Sequence, residues 1–315
     1  MTTSNTCSMS SPGRCAASSC TLAVACAAML AGCASTQPAA LYATPASEKT
    51  DAAGKAPPTS SQQLVSRYGK GERNFDGMKL AGAALTGAKL VSASFRGADL
   101  QGADLRGAQL EASDLTEANL TRADLDSAYL AEANLHGARL DEARLFDAVL
   151  WSTDLTSAVL DGARLDRANI QHADLTDARL RGASLRIVSL ATAVLRNADL
   201  SGANLNAASL PDADLEQARL NDASLIDADL GRAYVQGADL SGALLCRAVL
   251  LHTALEKAKL QGARYGKNTQ LPPGFDAAAH GAVLDPCCDE RDVEKACAWR
   301  AKTDPAPGAG AGAGG

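Results

Sequence analysis

The chain has 315 residues, a formal net charge of −6, 46% apolar residues and only 3% aromatics. That length allows one or two ordinary domains, but the apolar share is mostly alanine and leucine, which is unusual for a globular core. The mild acidity and the lack of a basic patch argue against a nucleic-acid partner.

Arg14 is the one charge before an apolar run, TLAVACAAMLAG, at 21–32. The run is too short for a permanent bilayer-spanning helix. Its length and flanks predict a secretory signal peptide over 1–32. It ends in LAGC, Leu30 to Cys33, which resembles the bacterial lipoprotein box. The resemblance implies cleavage before Cys33 and lipid on that cysteine, with the bilayer as a partner. Several acyl chains there would anchor stably where one is marginal. Ala34 and Ser35 differ from the acidic residue that retains many such proteins at the inner membrane. The expected location is therefore the cell envelope, with the outer membrane facing the periplasm favoured. The segment 33–59, rich in Ala, Pro, Ser and Thr, reads as a lipid-anchored flexible tether spanning roughly 25–30 Å.

Residues 60–72 read as an N-terminal cap. SSQQLVSRYG at 60–69 predicts a short helix: Ser60 and Gln63 have capping-box spacing, Leu64 and Tyr68 share a face, and Gly69 ends it.

A five-residue rule then governs 73–265. From Phe75 to Tyr265 there are 39 positions at multiples of five; Leu fills 34, and Phe75, Phe95, Ile170, Val235 and Tyr265 fill the rest. Ala stands two places earlier in 33 of the 39 pentads, so the small residue recurs with the large one. Neither a helix nor a strand gathers such a spacing on one face. A chain that turns by a fixed angle every pentad does: the large residues meet at one axis, and coils stack at about 4.8 Å. The A(D/N)LXX pattern, as in ADLDS at 123–127 and ANLHG at 133–137, resembles the pentapeptide-repeat family. The resemblance implies an all-β solenoid: a right-handed, four-sided (quadrilateral) β-helix with four pentads per coil. That count gives nearly ten coils and a rod of roughly 45–50 Å. Arg179, Asp199, Arg219, Asp239 and Lys259, each twenty apart, would then form one column of alternating sign. Glycine fills 13 of the 39 slots two after the large residue, where a corner suits a residue without Cβ.

Open solenoid ends require caps. At the C-terminal side, YGKNTQLPPGFD (265–276) resembles the segment that often follows pentapeptide arrays. Asp285 and Pro286 read as N-cap and first residue of a helix running to about Ala301, within a C-terminal cap over 266–302. Residues 303–315 should be disordered.

Little in the chain points to catalysis. The four histidines form no close pair, and there is no HExxH, GxSxG or phosphate-binding glycine loop. No catalytic, cofactor or metal residues are assigned, and the chain reads as a non-enzyme without cofactors. The pentad aspartates face outward as surface polarity. Replacing one of them, such as Asp161, is expected to be nearly neutral. A stacked set, Asp114, Asn134, Asp154 and Asp174, lacks the ligand geometry of a cation ladder. Cys246, Cys287, Cys288 and Cys297 are candidate disulfide cysteines, and an exported location permits their pairing. Within the expected helix, Cys288 and Cys297 would stand about 13.5 Å apart and could not bond.

One outward feature stands apart from the polar slots. Tyr129 and Val149 are twenty apart, Trp151 follows on the same side, and Phe146 sits at the corner leading into it. Three aromatics and a valine in so aromatic-poor a chain form a candidate interaction patch. The leading expectation is a lipoprotein presenting a rigid rod to an envelope protein or to its own copies. An alternative, from the family resemblance, is a DNA-mimicking protein that binds or protects DNA gyrase. Export argues against it, and so does a repeat surface of 26 acidic and 20 basic residues. An unrecognised enzyme is the weakest alternative.

Overall fold

The computed structural model describes residues 60–289. The signal peptide, Cys33, the tether, Cys297 and the tail lie outside the described residues. From Asn74 to Gln270 the backbone forms parallel bridges, and all but the last join residues twenty apart, as in Asn74↔Ser94, Tyr129↔Val149 and Asp239↔Lys259. Rungs that recur along a single chain in this way define an all-β solenoid.

A single pentad shows where the backbone amides go. The Leu80 N–H donates to the Asp99 carbonyl on the next coil (2.7 Å) and the Gly82 N–H to that of Gln101 (2.8 Å). The Ala83 N–H turns back to Leu80 (2.9 Å), and the Asp99 N–H returns to Met78 (2.9 Å). The amide just after the large residue is left over. Where Asp or Asn precedes the large residue, its side-chain oxygen accepts that amide: Asp114 from Thr116 (3.0 Å), Asn134 from His136 (2.9 Å), Asp174 from Thr176 (2.9 Å). The D/N of the motif thus satisfies a donor that the ladder misses. At four pentads without it, a side chain one coil earlier substitutes. Asp76, Asp126, Asp161 and Asn206 accept from the amides of Arg96, Phe146, Arg181 and Ile226 at 2.9–3.1 Å.

Large residues from Phe75 to Leu260 are at most 2% exposed, and the preceding alanines fill the space beside them. Tyr265 departs from this rule and is only partly buried. The residue two after the large one sits in the left-handed region, glycine or not: Gly77 at φ 63°, but also 24 non-glycine residues. Inter-coil hydrogen bonds here override local preference, which runs to roughly 1–2 kcal/mol against each such L-residue. Ile187 is the sharpest case, because it is β-branched at φ 57° and 59% exposed. Ile187→Asn is expected to raise stability by roughly 1 kcal/mol, since Asn tolerates this conformation. Urea unfolding would check it; an unchanged midpoint would mean that the isoleucine is not strained.

The ends are built differently. Helix α1, Ser60–Gly69, buries Leu64 completely in the solenoid core. The Tyr68 hydroxyl donates to the Val91 carbonyl (3.0 Å), tying α1 to the first coils. Inside them Phe75 and Phe95 stack at 5.4 Å. At the other end the rungs continue past Tyr265. Gln270 pairs with Val249, twenty-one residues away, so one extra residue has entered the turn. Strand β1 (Arg264–Tyr265) then pairs in parallel with β2 (Val283–Leu284). The chain goes into a 3₁₀ turn at Pro286–Asp289, where the sequence predicted the first turn of an α-helix. Asp285 does cap this turn, accepting the Cys287 amide at 2.9 Å, and it also pairs with Arg264. Its side chain is thereby drawn toward the coil below. The rest of the expected helix lies outside the described residues.

Candidate interaction surface

The side flanking Leu130, Leu150, Ile170, Leu190 and Leu210 carries most of the predicted patch. Tyr129 and Trp151 are 46% and 40% exposed, and Val149, bridged to Tyr129, is half-buried. Trp151 meets His172 edge-on at 5.9 Å. Asn169 continues the column, and Gln171 accompanies it with its amide on Ser189 (2.6 Å). Between Glu132 and Asp212 the outward positions of this side hold no Asp, Glu, Lys or Arg.

Phe146 belongs to the adjoining side. Its ring lies under the Arg167 guanidinium at 5.2 Å, and it lines a shallow cleft with Arg164, Asp166, Ser184, Arg186 and Ile187. No ring contact joins it to Tyr129 or Trp151 among the described residues. Sequence reasoning missed this cleft. Its signal was available: Arg164, Arg167 and Arg186 fall on the coils that follow an outward Phe146, and Ile187 stands beside the last of them.

Elsewhere the outward faces are laced with ion pairs between coils. Arg122 holds Glu142 (2.8 Å), Arg232 holds Asp212 (2.5 Å) and Arg247 holds Asp227 (2.6 Å). The charge column of Arg179, Asp199, Arg219, Asp239 and Lys259 is bridged throughout, with pairs Asp199–Arg219 at 3.9 Å and Asp239–Lys259 at 3.7 Å. The Arg106 guanidinium holds the Asp104 carboxyl down at about 2. Burial would raise Asp161, but hydrogen bonds from Arg181 and Arg179 outweigh it and bring that carboxyl to about 2. Asp161 is therefore no mere surface polarity: it binds two guanidiniums and a backbone amide from the following coil. The near-neutral substitution expected from sequence is corrected by these contacts.

Asp114, Asn134, Asp154 and Asp174 do stack in one column. Their oxygens are turned to neighbours, for Thr116, Thr156 and Thr176 each donate a hydroxyl to the Asp two residues before (2.5–2.6 Å). No trio of His, Cys, Asp or Glu is placed to hold a metal ion among the described residues. Cys246 and Cys288 form a disulfide, with Cα atoms 4.7 Å apart across a sequence separation of 42. Cys287 is buried beside it. No helix of the described residues is long and apolar enough to cross a membrane.

Five-residue repeats, a shared apolar axis and coil-to-coil backbone pairing define a β-solenoid repeat protein. The chain belongs to the pentapeptide-repeat family: the family model, pentapeptide repeats in 8 copies, matches 74–107, 108–145, 143–182, 183–222 and 223–262. Among solved structures it is similar to HetL, a pentapeptide repeat protein involved in heterocyst differentiation regulation from the cyanobacterium Nostoc sp. strain PCC 7120. That match has 34% identity over 64% of this chain and 94% of that one, with a TM-score of 0.28. It is similar also to alr5209 from Nostoc PCC 7120, with 39% identity over 36% and 84% of the two chains and a TM-score of 0.18. QnrB1, a plasmid-mediated fluoroquinolone resistance protein, is 21% identical over 71% and 95% of the two chains, with a TM-score of 0.29. No curated protein matches the chain.

Proposed function

We propose that this chain is a non-enzymatic envelope lipoprotein, tethered through Cys33, whose rod offers a rigid surface to a protein partner or to a second copy. The rod is read as a right-handed, four-sided β-helix of nearly ten coils, a reading supported by the twenty-residue spacing of the rungs. The observation that carries the proposal is the contrast between faces. Ion pairs run between coils on other faces, whereas the side with Tyr129, Val149 and Trp151 holds no Asp, Glu, Lys or Arg between Glu132 and Asp212. Such a strip can be covered without desolvating a fixed charge. The Cys246–Cys288 disulfide agrees with an oxidising compartment, and hence with export. The gyrase-binding alternative has less support, because export removes the chain from gyrase and its carboxylates are widely paired with arginine.

Two experiments test the parts separately. Cys33→Ser should move the protein from the membrane to the soluble fraction, and mass spectrometry of the wild type should find acyl groups on Cys33. Wild-type material without acyl groups would end the lipoprotein reading. Tyr129→Ser with Trp151→Ser should leave the melting temperature unchanged, because neither residue fills the axis. It should weaken capture of envelope proteins, or self-association, by roughly 2 kcal/mol. Unchanged association with an intact fold would reduce the strip to ordinary surface.

A further inference from the structure

We propose that the cleft of Phe146, Arg164, Arg186 and Ile187 binds an organic phosphate. Its phosphoryl oxygens would lie on the Arg164 and Arg186 guanidiniums, and its apolar stem on Phe146 and Ile187. The starting point is an imbalance in charge. Every arginine of the described residues pairs with a carboxylate except Arg73, Arg164 and Arg186. Arg73 has other uses: it donates to the Tyr68 and Glu72 carbonyls (2.9 Å each) and covers the Tyr68 ring at 3.8 Å. The remaining two line one cleft of ≈ 330 Å³ from successive coils.

Each neighbouring group is already committed in a way that leaves them unmatched. Arg164 is bridged to Arg144, a like charge, and Arg144 turns to Asp124 and Asp126 on the earlier coil. Asp166, the one carboxylate lining the cleft, accepts the Ser184 hydroxyl at 2.6 Å and forms no ion pair. Arg167 is held by Asp147 at 2.9 Å while it covers Phe146. Arg164 and Arg186 thus line the cleft without an ion pair to any carboxylate of the described residues. Like charges stacked across a β ladder repel, and a bound oxyanion would relieve that repulsion. Guanidinium forks match phosphate oxygens bidentately, and two of them suit a dianion better than one.

The apolar half has independent support. Ile187 is 59% exposed in a left-handed conformation that disfavours β-branched residues. The solenoid imposes that conformation on the slot, yet an isoleucine rather than Gly or Asn occupies it and leaves an apolar side chain exposed at the cleft. Phe146 is 39% exposed with one face taken by Arg167, leaving an apolar edge toward the cleft. The proposal does not depend on the lipid anchor.

The test uses the full chain as Cys33→Ser, titrated calorimetrically with phenyl phosphate and with inorganic phosphate. Saturable binding of phenyl phosphate, tighter than that of inorganic phosphate, is expected. Arg164→Gln with Arg186→Gln should weaken it about tenfold or more, while Arg179→Gln, which removes a paired arginine, should not. Phe146→Ser should reduce phenyl phosphate to the level of inorganic phosphate. No saturable binding, or equal affinity in the double variant at an unchanged melting temperature, would overturn the proposal. Phosphatidylcholine vesicles with and without phosphatidic acid separate the sources. Arginine-dependent sedimentation with the acidic vesicles assigns a lipid headgroup, and phenyl phosphate binding without sedimentation assigns a soluble phosphate ester.

Discussion

Leu165→Asp should lower the stability of the solenoid by about 4 kcal/mol or more. Leu165 is 0% exposed, in a column of leucines with no polar group to receive a carboxylate. The substitution forfeits roughly 1.5–3 kcal/mol of apolar burial. It then places a charge in a dry axis, where even a neutral unpaired polar group costs about 1–3 kcal/mol. The fold concentrates the damage, because each coil rests on its two neighbours and a broken coil loses rungs on both sides. Two comparisons calibrate the measurement. Asp161→Ala should cost an intermediate amount, about 1–2 kcal/mol, because it strands the Arg181 amide and releases two guanidiniums. Gln101→Ala, exposed and without such a duty, should stay within about 0.5 kcal/mol of wild type. Urea unfolding of the three variants would rank them. If Leu165→Asp and Gln101→Ala melted together, the inside and the outside of the coil would have been exchanged.

That ranking separates what the sequence discloses from what it hides. The buried column is legible because one residue type, leucine, fills 34 of 39 slots at one period and performs one task there. Residues such as Asp161 are harder to read, since their partners lie eighteen and twenty positions away and emerge only once the rungs are known. The corner slot was half legible. Glycine marks it in a third of the pentads, but the left-handed backbone persists through Ile187 and Thr192, where local preference opposes it. Propensity could not reveal a conformation that inter-coil hydrogen bonds impose. That Tyr129, Val149 and Trp151 share one side followed from the period, whereas Phe146 stands with arginines on the adjoining side. A corner residue is shared by two faces, and only its ring contact with Arg167 decides between them. The C-terminal end was least legible. There the pentad signature stops while the backbone rungs go on, supported by ordinary residues such as Gln270 and Val283 that carry no periodic mark.

Reducing the Cys246–Cys288 bond, or replacing Cys288 with Ser, should destabilise the C-terminal end by about 2–4 kcal/mol. The bond closes a loop of 42 residues, and the loop-entropy relation gives about 4 kcal/mol for that length as an upper figure. Its position at the C-terminal end of the solenoid decides which part of the fold loosens first. Cys246 lies on the coil that carries Leu245, and Cys288 comes after β2 in the segment laid over β1. Other ties hold that segment: the Arg264–Asp285 ion pair, the two-residue strand pairing, the Gly262 amide on the Gly281 carbonyl (2.8 Å) and the Lys267 amide on the Asp289 carboxylate (2.9 Å). Each is weak beside a covalent link, so the cap should detach before the coils unwind. Its departure bares the ladder edge at Arg264–Tyr265, and an uncovered edge pairs with other chains. Reduced wild type and Cys288→Ser should therefore unfold in two steps, with a first transition at low urea, and should scatter light at concentrations where the oxidised protein stays clear. α1 at the far end should retain its protection from hydrogen exchange through that first step. A single transition, unmoved by reductant, would show that the cap holds without the disulfide and that core packing of Ala277 and Ala282 against the last coil is enough.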